Sequence, residues 1–101
     1  MSDFDQRMDK LKLRFATRLE TEKLLLEQAL GSGDRAELKR LAHGLSGSAA
    51  IFGYSDIGAA ARNLEAAAEV DERLQETAEG LLELMSLAIV NANSRARRCK
   101  L

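Results

Sequence analysis

Apolar residues recur along this chain at spacings of three, four and seven, the repeat of a helix that buries one face. The first stripe runs through Phe4, Met8, Leu11, Phe15, Leu19, Leu26 and Leu30. Ser2 or Asp3 is placed to cap its start. The GSGD of residues 31 to 34 ends it, with a glycine free to take the left-handed conformation common at helix C-termini. Asp34 followed by Glu37 is an acidic variant of the capping box and opens a second helix. That helix carries Leu38, Leu41, Ala42, Leu45, Ala49 and Phe52 on one face and stops at Gly53. Ser55 is the expected N-cap of a third helix, with Ile57, Ala60, Ala61, Leu64, Ala67 and Ala68 as its stripe. A polar break and a shift of phase around Val70 and Asp71 precede a fourth stripe of Leu74, Ala78, Leu81, Leu82, Met85, Ile89 and Ala92.

Four amphipathic helices joined by short connections bury their stripes together most economically when each runs antiparallel to the next. The expected fold class is therefore all-α, an antiparallel up-and-down four-helix bundle. Residues 1–101 are read as a single domain, with residues 95–101 a basic tail in which the last helix frays. Composition agrees: there is no proline, and Ala, Leu, Glu, Lys and Arg dominate.

Charge and motifs remove several function classes. Fifteen basic residues against sixteen acidic ones leave a net charge of -1, so the chain has no overall bias toward nucleic acid or an anionic membrane. The basic residues of the tail suit the negative pole of a helix dipole without any partner. One cysteine, Cys99, and one histidine, His43, cannot build a zinc site of the usual spacing, and no metal is expected. No apolar run is long enough to span a bilayer, and the N-terminal MSDFDQRMDK lacks the apolar core of a signal peptide, so a cytoplasmic location is expected. Gly-rich phosphate loops, GxSxG and HExxH are missing from the sequence.

What chemistry the chain has must centre on LAHGLSGSAAIFG, residues 41 to 53, where the one histidine sits in a helix with Gly44 and Gly47. Each glycine inside a helix costs roughly 1 kcal/mol relative to alanine. At about 100° per residue, His43 falls roughly 140° from the centre of the apolar face and should meet water. Helical side chains lean toward the N-terminus, so a side chain at position 47 would lie over the imidazole, and glycine leaves it uncovered. The same lean carries the ring toward Lys39 and Arg40, which are expected to flank an anion on it, with Ser46 offering a hydroxyl and Ala50 bordering the patch. An exposed imidazole is largely neutral and nucleophilic near pH 7. With no Ser, Cys or Asp beside it and no second histidine, it is suited to accept a phosphoryl group on a ring nitrogen. Such transfer needs mainly positioning and charge neutralisation, which a docking partner can bring.

The run Ala42-His43-Gly44-Leu45-Ser46-Gly47-Ser48-Ala49, then Gly53 and Leu64-Glu65, resembles the signature of histidine-containing phosphotransfer domains, the HPt modules of two-component phosphorelays. The resemblance is good over residues 34 to 65. It implies a four-helix bundle in which His43 is the phosphoacceptor and Gly47 the small residue that keeps it accessible. It also implies partners, the receiver domains of response regulators or hybrid histidine kinases, and a carrier that binds no ATP and has no turnover of its own. No cofactor is expected on this chain; magnesium would belong to the partner receiver. The family usually carries lysine three residues after the histidine, where this chain has Ser46.

On the first helix, Leu13, Thr17 and Leu24 lie far from the core stripe. Leu13, Thr17 and Tyr54, with Ala50, are the expected docking contacts for a receiver, and the chain is expected to act as a monomer. A different class of reading stands beside the carrier: a helical adaptor that binds a partner through one bundle face and uses no chemistry. A general-base enzyme is disfavoured, because an exposed histidine has no partner at motif spacing and nothing to exclude water.

Overall fold

Four helices account for nearly all of the described backbone: α1 (Ser2–Ser32), α2 (Arg35–Ile51), α3 (Ser55–Val70) and α4 (Leu74–Cys99). The structure, a computed structural model, describes the backbone of residues 2–70 and 73–99, and the side chains of residues 7, 10–70 and 73–92. Each helix packs on its neighbours in the order α1, α2, α3, α4 and back to α1, and among the described residues the diagonal backbones do not approach. This is the all-α up-and-down bundle expected from the stripes.

The stripes meet in one core. Phe15, Leu19 and Leu26 of α1 pack with Leu38, Leu41 and Leu45 of α2, Ile57 and Leu64 of α3, and Leu81 and Met85 of α4. Burying each such side chain contributes about 1.5–3 kcal/mol, and no described polar or charged residue is buried among them to offset it. Phe4 and Met8, expected in the α1 stripe, have side chains outside the described residues, as does the basic tail; the α4 backbone is helical to Cys99. Leu11 departs from expectation: it is 38% exposed. Phe15 stacks on Phe52 and Tyr54, where α2 turns into α3, and Leu11 lies one turn beyond that end of the α2–α3 pair.

The connections follow from local chemistry. At the end of α1, Gly33 adopts φ +72, and Asp34 and Gly33 donate their backbone N–H groups to Ala29 and Leu30. This is the Schellman arrangement. Asp34 Oδ1 then accepts from the Glu37 N–H at 3.1 Å, capping α2. Only half of the expected capping box forms, because the Asp34 N–H is already spent on Ala29 and the Glu37 carboxylate turns to Arg40 instead. Gly53 (φ +84) closes α2 in the same Schellman manner, through Tyr54 N–H to Ala49 and Gly53 N–H to Ala50. Ser55, expected as the N-cap of α3, is its first helical residue; the Tyr54 carbonyl accepts the opening bond from Gly58.

Two contacts fix α2 against α3. The Arg35 guanidinium, at the start of α2, donates to the carbonyl of Ala68 at 3.2 and 3.1 Å and so caps the far end of α3. Near the other end, buried Gly58 lets the helices approach: a Cβ there would lie 3.2 Å from the Ser46 carbonyl oxygen.

Candidate functional site

Two turns of α2 and two turns of α3 face each other here. Leu41, Ala42 and Leu45 anchor α2 in the core and leave His43 on the outside, with its side chain 76% exposed. Ala61, Leu64 and Ala68 anchor α3 and bring Glu65 and Glu69 to the edge beside it. His43 Nδ1 lies 2.9 Å from Glu65 Oε2. A carboxylate can only accept, so in the neutral ring this contact puts the one proton on Nδ1 and makes Nε2 the nitrogen that carries the lone pair. One turn earlier on α2 and one turn later on α3, Lys39 Nζ donates to Glu69. The antiparallel pair thus carries two matching rungs, His43 with Glu65 and Lys39 with Glu69.

The cations expected to flank an anion on the ring are both engaged. Arg40 forks onto Glu37 of its own helix, with Nε and Nη2 donating at 2.6 and 2.8 Å. That hydrogen bond holds the Glu37 carboxyl below its ordinary range and the guanidinium above its own. The hydrogen bond between Lys39 and Glu69 does the same for that pair, raising the ammonium and lowering the carboxyl, and Glu65 adds a smaller upward pull on Lys39. Ser46, expected to offer its hydroxyl outward, instead donates it to the His43 carbonyl at 2.8 Å.

The two glycines beside the histidine sit in open space. A Cβ at Gly44 or Gly47 would meet nothing within 4 Å, so neither is required by packing. Ala50 is exposed on the same side of α2. Of the expected docking residues, Tyr54 is half-buried and stacked on Phe15, at 5.6 Å between ring centroids. Leu13 and Thr17 are exposed on α1, where the Thr17 hydroxyl donates to the Leu13 carbonyl; no hydrogen bond or ion pair described here joins them to the His43 cluster.

The spacing of residues along α2 does not point to Glu65 or Glu69, which come from α3. Once the register of α2 on α3 is set, the spacing accounts for both: in an antiparallel helix pair a step of four back along one helix meets a step of four forward along the other, and 39, 43, 65 and 69 stand in that relation. The imidazole stands open to solvent, its side chain 76% exposed. A groove of about 400 Å³ between α3 and α4, lined by Ala60, Asn63, Thr77 and Leu84 among others, includes none of the His43 cluster. Among the described residues, no group of three or more His, Cys, Asp or Glu side chains is placed to hold a metal ion, and no helix is long and apolar enough to cross a membrane.

The model of one protein family, the Hpt domain, matches residues 10–97. The chain belongs to the Hpt domain family. Its Hpt domain thus spans α1 to α4 and includes both rungs. Comparison with curated proteins and with solved structures gives no match. Membership assigns the chain to histidine phosphotransfer in phosphorelay signalling, as a phosphocarrier that interacts with receiver domains of two-component systems.

Proposed function

We propose that this Hpt domain carries its phosphoryl group on Nε2 of His43, receiving it from the aspartyl phosphate of one receiver domain and passing it to the aspartate of another. The observation that carries this reading is the exposed imidazole held through Nδ1 by Glu65, which turns Nε2, the lone-pair nitrogen of the neutral ring, to a docking partner.

The step follows from that geometry. The Nε2 lone pair attacks phosphorus and forms the N–P bond as the P–O bond to the donor aspartate breaks, and the donor carboxylate departs with that electron pair. The ring keeps its Nδ1 proton and becomes cationic, facing the Glu65 carboxylate. Delivery to the second receiver is the reverse displacement. Gly44 and Gly47 leave the approach open, and the exposed ring leaves water exclusion and magnesium to the receiver. The chain binds no ATP and turns nothing over by itself, and it works in the cytoplasm where receivers are found.

Incubation with a phosphorylated receiver domain tests this. Acid-labile, base-stable phosphate should move to the chain and be lost in His43→Gln. Label that stays on the receiver with every receiver of the host would leave an adaptor without chemistry as the better reading.

A further inference from the structure

We propose that Lys39 is the cation that serves the phosphoryl group on His43, parked on Glu69 in the unphosphorylated protein and transferred to the phosphoryl oxygens when they arrive. This rests on His43 being the acceptor.

The site needs such a cation. With the imidazole neutral, the two rungs hold one positive side chain, Lys39, and two negative ones, Glu65 and Glu69. A phosphoryl group adds a dianion beside these carboxylates, while the ring gains one positive charge. Position 46, three residues after the histidine, provides none: Ser46 is neutral, and its proton is committed to the His43 carbonyl. Two cations remain within a turn, and the structure distinguishes them. Arg40 is held by both arms of a bidentate fork on Glu37, a planar geometry that must be broken as a unit. Lys39 makes a single-point contact from a flexible stem and is 45% exposed. It stands four residues before His43, in the direction the imidazole leans, and on the same α3-facing side. Exchanging Glu69 for the phosphoryl group trades a monoanion for a dianion at little geometric cost. Glu69 then acts as a holding site that keeps the ammonium close.

Potassium phosphoramidate, a small donor that needs no receiver, provides the test on the full chain. In that reaction Nε2 forms the N–P bond while the donor P–N bond breaks and ammonia leaves with the electron pair. His43 phosphorylation is followed by ³¹P NMR, together with the pH titration of the attached phosphoryl group. Lys39→Met should slow phosphorylation about threefold to tenfold. It should also move the phosphoryl titration to higher pH, because the dianion has lost its cation. Lys39→Arg should restore most of both, as should Ser46→Lys placed in the Lys39→Met background. The rung is exposed, so thermal unfolding should confirm that all variants fold. Phosphate on His43 at the wild-type rate and with the wild-type titration in Lys39→Met would overturn the role of Lys39 while leaving the acceptor in place. Phosphate that persists in His43→Gln would remove the acceptor assignment and this proposal with it.

Discussion

Nδ1 of His43 donates to Oε2 of Glu65 at 2.9 Å, joining the outer face of α2 to the edge of α3. The contact sets which ring nitrogen is free and places a negative charge where the ring becomes positive on phosphorylation. Removing it should therefore have two separable effects. Glu65→Ala lets the ring return to a mixture of tautomers, visible in ¹⁵N shifts, and slows phosphotransfer on the order of tenfold. Glu65→Gln keeps an acceptor for Nδ1–H but removes the charge, so it should preserve the tautomer and recover only part of the rate. Wild-type rates in both variants would show that the pair is incidental.

Gly47 and Gly44 are exposed and unconstrained, so any side chain should be tolerated by the fold. Gly47→Gln should raise stability by up to about 1 kcal/mol through helix propensity. It should nevertheless slow phosphotransfer from a receiver more than tenfold, because the longer side chain lies back over the imidazole. Gly44→Ala should show the same stabilisation with a smaller kinetic effect. Denaturant unfolding alongside transfer kinetics separates the two quantities.

Gly58 is the opposite case, a glycine that packing requires. A Cβ there already lies 3.2 Å from the Ser46 carbonyl oxygen, and larger side chains must push α3 off α2. Gly58→Val should destabilise the bundle by about 1–3 kcal/mol. Because the same separation carries His43 and Glu65, it should also weaken their contact. The loss of stability reads out in urea unfolding, and the loss of contact in the His43 ¹⁵N shifts.

Asp34 caps α2 through the Glu37 N–H. Asp34→Ala should cost about 1 kcal/mol. Glu37→Gln should cost less, since no hydrogen bond returns from that side chain to the Asp34 N–H. Equal losses would mean that the Glu37–Arg40 pair contributes as much as the cap.

Much of this molecule is legible in the sequence because a helix writes its buried face at a fixed period. Leu38, Leu41, Leu45 and Ala49 were placed in the core by spacing and are buried, and the exposure of His43 follows from the same wheel. Leu11 belongs to its stripe by period but not by depth, since a single helix does not record where its neighbours end. The same limit hid the partners of the site. Lys39 and Arg40 were placed toward the ring by their positions on α2, whereas Glu69 and Glu37 hold them. Glu37 lies three residues from Arg40 and was readable as a helix pair. Glu65 and Glu69 come from a second helix, and finding them requires the register between α2 and α3. Gly58, whose spacing only places it beside Ile57, has its reason in the backbone of that neighbouring helix.

The most direct test of the central claim is to locate the phosphoryl group by ¹⁵N–³¹P NMR after transfer from a charged receiver domain. With Glu65 holding Nδ1, coupling should appear only to Nε2 of His43. Coupling to Nδ1, or phosphate on any residue other than His43, would contradict the account.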